Sequence, residues 1–345
     1  MQYRKLGRTD INVSLICLGT MTWGRQNSGS EGHEQMDYAL EQGVNFFDTA
    51  EMYAVPPTAD TYGKTEEIIG TWFAKTGNRD KVILASKVAG PSLPWIRGGK
   101  YIIDRENILK AVEDSLTRLQ TDYIDLYQLH WPNRGSNHFG QHWSFNPQFH
   151  LNEVEDNFHE VLETMAELVK AGKIKHIGLS NETSWGTMKW LRMAEERGLP
   201  RMASIQNEYS LLCRLFDGDL QEVALAEQCG LLAWSPLATG MISGKYLKGK
   251  RPKGSRWTLQ NNLPRDNKLS QEAVAAYIKV AKKHGLDVCQ MALAFVNSRP
   301  FVTANIIGAT SMEQLKSNIA SVDITLSDEC LKDIETVRRQ YPAPY

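Results

Sequence analysis

Short apolar runs alternate with longer stretches of helical periodicity along most of the chain. Runs at 15–18, 44–47, 82–86, 124–129, 174–179, 203–206, 231–234 and 303–307 predict eight strands. Between and after them, helical spacing predicts helices over 31–42, 65–75, 104–119, 152–171, 184–197, 219–229, 287–298 and 311–320. Gly43, Gly172, Gly198 and Gly230 each follow the last periodic residue of such a stretch, where a helix stop favours glycine. Asp104 stands where its side chain can cap a first turn opened by Asn107 and Ile108.

Strand and helix in strict alternation imply parallel strands joined by right-handed crossovers. An open doubly wound sheet and a closed (β/α)8 barrel both fit. Eight units favour the barrel, and so does the lack of any Gly-x-Gly-x-x-Gly after the first strand. The expected fold is therefore an α/β chain forming a (β/α)8 TIM barrel, with residues 1–345 as a single domain. Residues 1–14 read as a hairpin turning at Gly7-Arg8-Thr9-Asp10, suited to plug the barrel floor. The stretches 132–151 and 236–268 exceed the repeat, and 327–339 reads as an extra helix before a Pro-containing tail. Loops this long are usually functional.

Composition narrows the classes. The chain is 42% hydrophobic and 23% charged, which is ordinary for a globular protein. A net charge of -1 with scattered basic residues argues against nucleic acid or an anionic membrane as partner. Cys17, Cys213, Cys229, Cys289 and Cys330 are odd in number and widely spaced, so neither a disulfide framework nor a zinc site is expected. The start at Met1-Gln2-Tyr3-Arg4-Lys5 lacks the apolar core of a secretory signal, and no apolar stretch is long enough to span a bilayer. The expectation is a soluble protein of a reducing compartment, the cytoplasm.

Four polar residues then change the picture. Asp48 closes the run 44–47 and Tyr53 follows in the loop, while Lys87 closes 82–86 and His130 closes 124–129. Barrel active sites sit at the C-terminal ends of strands, so neighbouring strands bring all four to one mouth. Tyr53 ordinarily ionises near pH 10, and a cation beside its hydroxyl lowers that value. Lys87 supplies the cation, Asp48 can hold it charged, and His130 can bond a substrate oxygen. A lone Asp or His at a strand end is more often a cap, and a buried Lys–Asp pair can be purely structural. The residues by themselves leave the reaction unnamed.

Further pieces carry a resemblance: Gly19-Thr20-Met21, Phe47-Asp48-Thr49-Ala50-Glu51-Met52-Tyr53, Ser86-Lys87, Ser115-Leu116-Thr117-Arg118-Leu119, Asp122-Tyr123-Ile124-Asp125-Leu126-Tyr127, His130-Trp131-Pro132, Gly172-Lys173-Ile174, Gly178-Leu179-Ser180-Asn181, Gln206-Asn207, Trp234-Ser235-Pro236-Leu237 and Ile307-Gly308-Ala309-Thr310. In this order and spacing the chain resembles an aldo-keto reductase from about residue 6 to residue 324. Within that superfamily it is similar to the bacterial Tas-type branch, itself similar to the β-subunits of voltage-gated potassium channels. The resemblance implies hydride transfer from NADP(H) to an aldehyde or ketone. It makes Tyr53 the general acid, tuned by Lys87 and Asp48, with His130 orienting the carbonyl.

The resemblance also implies a cofactor extended over the mouth without a Rossmann motif. Ser180, Asn181 and Gln206 then face the carboxamide, with Thr20, Met21 and Asp48 nearby. The stretch Trp234-Ser235-Pro236-Leu237-Ala238-Thr239-Gly240-Met241-Ile242-Ser243-Gly244-Lys245 suits a pyrophosphate met by backbone N–H groups and by Lys245. It is not a P-loop, because Tyr246 stands where that motif needs Ser or Thr. Gly308, Thr310, Gln314 and Asn318 border a helix N-terminus suited to the adenosine 2′-phosphate. Some relatives carry Lys and Arg at the positions of Gly308 and Gln314, and an acidic residue at that of Ser317. The Gly/Gln form is that of the channel-subunit-like branch, where an Arg from the long loop assists, and Arg256 is its counterpart here.

For the substrate pocket the expected wall is Trp23, Tyr53, His130, Trp131, Trp143 and Tyr209, with Met52 and Phe139, Phe145 and Phe149 of the 132–151 loop. His138 and His142 are spaced i, i+4, but Gly140 between them argues against a helical metal site, and no metal is expected. The alternative reading is a cofactor-loaded redox sensor that binds a protein partner, like the channel β-subunits. Those carry a different residue in place of His130, so its presence favours turnover. A metal-dependent barrel hydrolase would need His and carboxylate ligands clustered at strand ends, which the sequence lacks.

Overall fold

The computed structural model describes residues 1–99, 101–259, 263 and 265–345, so the expected loop 236–268 lies partly outside the described residues. Eight strands follow an N-terminal pair: β3 (Ile16–Gly19), β4 (Phe46–Asp48), β5 (Ile83–Val88), β6 (Ile124–Leu129), β7 (Ile174–Ser180), β8 (Met202–Glu208), β9 (Gly230–Trp234) and β10 (Val302–Ile307). They pair in parallel in chain order, and β10 returns to β3 to close the barrel. Each expected strand is present. The runs are apolar on both faces because one face fills the barrel and the other meets helices.

The N-terminal pair, β1 (Tyr3–Lys5) and β2 (Asn12–Ser14), is an antiparallel hairpin. Leu6 and Val13 join Cys17, Phe46, Leu126 and Leu232 in one buried cluster, so the hairpin seals the barrel floor. Gly7 explains the fit. It has φ +59°, and a Cβ there would lie 2.3 Å from the Ala203 carbonyl oxygen, so only glycine allows the approach.

The helices α1 (Gly29–Glu41), α2 (Lys64–Thr76), α3 (Arg105–Leu119), α4 (Leu151–Lys170), α5 (Ser184–Arg197) and α6 (Asp219–Ala226) follow successive strands. After β9 come a short turn, α7 (Arg256–Leu259), and then α8 (Lys268–Lys283) and α9 (Val288–Asn297). After β10 come α10 (Met312–Ala320) and α11 (Asp328–Gln340). Trp72, Val112, Met165 and Leu191 on their inner faces belong to the main apolar core. The Asp104 carboxylate caps α3 by accepting from the Asn107 amide, as expected.

Two expectations need correction. Helix α6 ends at Ala226, short of the expected 229, and Gly230 opens β9 instead of stopping the helix. Helix α8 was not anticipated at all. Its buried face is Ala273, Val274, Tyr277, Val280 and Ala281, a helical spacing whose small alanines weaken the apolar signal between lysine-rich ends.

Candidate active site

Strand register builds the mouth. Asp48 ends β4 beside Ala85, and Lys87 lies opposite Gln128 across β5 and β6. The fully buried Lys87 ammonium donates to Asp48 Oδ2 at 2.7 Å and to the Thr49 carbonyl at 2.7 Å, and lies 3.4 Å from the Tyr53 hydroxyl. The other Asp48 oxygen accepts from Gln206 Nε2 at 2.8 Å and from Gln128 Nε2 at 3.3 Å. Thr20 Oγ1 donates to the Asp48 carbonyl at 2.8 Å. A buried ion pair is tolerable only when its remaining valences are met in this way. The His130 ring stands edge-on to Tyr53 at 5.8 Å, and its Nδ1 is buried with no hydrogen-bond partner among the described residues. Asn181 Nδ2 holds the His130 carbonyl at 2.9 Å.

Burial pushes the Tyr53 phenol above its ordinary pKa, and Lys87 pulls part of that rise back. Lys87 thus acts in the expected direction, but desolvation outweighs it and the net shift is upward. Burial acts to lower Lys87, yet Asp48 and Tyr53 more than offset it and hold the ammonium above its ordinary value. Burial and then Lys87 drive His130 well below its usual value, so the ring is neutral near pH 7. Burial lowers His138 as well.

The two histidines set a stability trend. Below about pH 6.5 the unfolded chain binds protons at these rings that the folded chain excludes, so stability falls as pH falls. The melting temperature is expected to drop between about pH 7 and about pH 5, and His130→Gln to shrink that drop. An unchanged slope in the variant would remove His130 from this account.

Beyond the quartet, Ser180 Oγ donates to the Gln206 carbonyl and Asn181 Nδ2 also reaches Ser180 Oγ at 3.1 Å. Trp234 Nε1 donates to Asn181 Oδ1 at 3.2 Å. Gln206 spends its amide hydrogens on Asp48 and Gln128, so it braces the carboxylate rather than standing free at the mouth. The stretch after β9 curls tightly, with positive φ at Ser235, Ala238 and Thr239, non-glycine residues in a sparsely populated conformation. Pro236, Leu237, Gly240, Met241, Ile242, Ser243, Gly244 and half-buried Lys245 complete that curl.

Arg256 stands near the catalytic side of the mouth, its guanidinium 3.9 Å from the Met21 sulfur. Burial first, then Arg265, lowers its pKa to about 10, and Tyr53 and Arg25 lie within its field. At the far end, Gln314 Oε1 accepts from the Thr310 amide, and Asn318 Nδ2 donates to the Gly308 carbonyl. A Cβ on Gly308 would meet open space.

Comparison with known proteins agrees with this geometry. The aldo/keto reductase family profile matches residues 15–339. The chain belongs to the aldo/keto reductase family. It is 48% identical to the Tas protein of Escherichia coli (strain K12), over all of both chains. It is 36% identical to the uncharacterized oxidoreductase YrpG of Bacillus subtilis (strain 168), over all of this chain and 97% of that one. A probable voltage-gated potassium channel subunit beta of Arabidopsis thaliana is 28% identical over 99% of this chain and 98% of its own. Family membership makes the protein an oxidoreductase.

In this family member the aromatic wall differs from the sequence expectation. Trp23 is fully buried, with Nε1 on Gln35 and its ring against α1, so it packs core rather than pocket. Tyr209 is also fully buried, stacked on Phe295 and edge-on to Phe301, with its hydroxyl on Asp217. Trp143 points outward, 72% exposed, with Nε1 on the Tyr345 carbonyl. Trp131 does border the mouth, 4.9 Å from the His130 ring.

Sequence reading passed over residues that matter here. Gln128 is an inward polar group within an apolar strand, and that position was its signal. Glu51, fully buried two residues before Tyr53, accepts a bidentate pair from Arg97 at 2.7 and 2.9 Å, the Ala89 amide at 2.7 Å and the Tyr62 hydroxyl at 2.7 Å. Beside this anchor, Ala89, Ile96 and Tyr101 pack with Met52 and Trp131. Trp131 closes on Gly90, where a Cβ would lie 2.3 Å from its ring.

Proposed function

We propose that the protein reduces an aldehyde or ketone to an alcohol with NADPH, Tyr53 acting as general acid. The observation that carries this reading is the Lys87 ammonium, fixed 2.7 Å from Asp48 and 3.4 Å from the Tyr53 hydroxyl. The residues fit the cofactor. A curled backbone, a half-buried lysine and a half-buried arginine with Arg265 and Arg25 in its field would all gain from a phosphate anion. Bound NADPH supplies the hydride that reaches the carbonyl carbon.

The protein's own part is positioning and proton delivery. His130, neutral, donates to the carbonyl oxygen and places it near the Tyr53 hydroxyl. Tyr53 Oη passes its proton to that oxygen, and the Lys87 ammonium stabilises the phenolate left behind. Asp48 keeps Lys87 charged, while Gln128 and Gln206 keep Asp48 aimed. Oxidation of NADPH followed by absorbance with aromatic and aliphatic aldehydes tests this; tight NADPH binding without turnover of any carbonyl contradicts it.

Arg256 serves the anionic cofactor in this reading. Arg256→Ala is expected to weaken NADPH binding about tenfold or more, with a smaller effect on NADH. Fluorescence titration of both cofactors checks it, and equal losses would reassign Arg256 away from the 2′-phosphate.

A further inference from the structure

A cavity of about 550 Å³ lies beside the catalytic mouth, between the 132–151 loop and the starts of α5 and α6. Among the described residues, none of Asp48, Tyr53, Lys87 and His130 lines it. Six aromatic rings, those of Phe139, Phe145, Phe149, Trp185, Phe216 and Tyr345, share its lining with polar side chains such as Asn137, His142 and Asn207. That volume is typical of a small-molecule compartment.

Phe139 separates the two spaces. Its ring lies 6.1 Å from Trp234 and 6.3 Å from Trp131, and Trp131 abuts His130. The residue has φ +58° and is 52% exposed, so swinging its ring aside sacrifices little buried contact. The cavity's arginine and the buried glutamates around it are matched by ion pairs. Arg134 grips Glu182 at 2.5 and 3.1 Å, and Glu208 is held by Arg265 at 2.8 Å and the Tyr345 hydroxyl at 2.6 Å. His138 bonds the Glu182 carbonyl at 2.9 Å. Asp219, at the start of α6, also lines the cavity and repels an anion. An anionic ligand therefore finds no spare countercharge among these groups, whereas flat apolar rings find stacking faces.

We propose that this cavity receives the distal rings of a neutral polycyclic aromatic aldehyde or ketone whose carbonyl lies between Tyr53 and His130, with Phe139 as the movable partition. This rests on the carbonyl-reductase reading and names its substrate class. The second ring adds buried apolar area, so kcat/KM for 2-naphthaldehyde is expected to exceed that for benzaldehyde about tenfold. 6-Carboxy-2-naphthaldehyde is expected to lose that gain.

Two substitutions move the preference in opposite directions. Ser184→Phe fills the cavity from the first turn of α5, and should bring the naphthaldehyde-to-benzaldehyde ratio close to one while benzaldehyde reduction is kept. Phe139→Ala opens the partition and should raise the ratio. Equilibrium dialysis of 2-naphthaldehyde with NADP⁺ in place of NADPH reads binding without turnover, and Ser184→Phe should weaken it. Benzaldehyde turnover with a ratio unmoved by either substitution overturns this inference and leaves the reductase reading standing. Absence of turnover with every aldehyde, alongside tight NADPH binding, overturns the reductase reading itself.

Discussion

Tyr53→Phe is expected to lower kcat by about 10²–10⁴-fold and to leave the NADPH dissociation constant within about twofold. The substitution removes one oxygen and keeps the ring, so the edge-on contact with His130 at 5.8 Å survives. It removes the hydroxyl that lies 3.4 Å from the Lys87 ammonium. Water can still protonate an alkoxide, but without a positioned donor. Burial holds the Tyr53 pKa above its ordinary value, so the hydroxyl is fully protonated through the neutral range. Reduction by the native protein should accordingly be flat in pH there and fall only above about pH 10. Full activity in the variant would remove Tyr53 from the proton-donor role.

Lys87→Met is expected to damage both rate and stability. The side chain is fully buried, and its removal leaves the Asp48 carboxylate in the barrel without a cation. Breaking a buried pair on one side costs about 3–5 kcal/mol, reduced here because Gln128 and Gln206 still donate to Asp48. The double variant Asp48→Asn/Lys87→Met removes the stranded charge, so it should regain much of the lost stability. It should not regain activity, because no cation then faces the Tyr53 hydroxyl. Denaturant melts of the single and double variants, read beside kcat, separate the two effects. Recovery of activity with stability would mean that Lys87 is only structural.

The barrel and the quartet were legible for a local reason. Each strand is a compact apolar run, and Asp48, Lys87 and His130 stand at run ends where a turn residue would be ordinary. Closure then follows from strand count and parallel pairing. What stayed hidden depends on contacts far apart in sequence. The Glu51–Arg97 anchor spans 46 positions, and neither residue lies at a strand end. Gln206 had the right place but a different partner, since inward-facing amides at one barrel level bond each other and Asp48. Trp23 and Tyr209 adjoin recognisable motifs, yet their rings turn away from the mouth and into the packing between barrel and helices. Aromatic identity marks a large buried surface and does not tell a pocket from a core. Helix α8 gives a weak apolar signal because Ser270, Ala273 and Ala281 share its inner face with Val274, Tyr277 and Val280.

Hydride transfer to a carbonyl, with Tyr53 completing the reduction, is the chemistry proposed for this site. The most direct measurement is mass spectrometry of the product formed with NADPH deuterated at the transferable position of its nicotinamide ring. The expected product is an alcohol carrying one deuterium on the former carbonyl carbon, formed by the native protein and nearly abolished in Tyr53→Phe. Alcohol without deuterium, or no alcohol from any carbonyl while NADPH remains tightly bound, would contradict it.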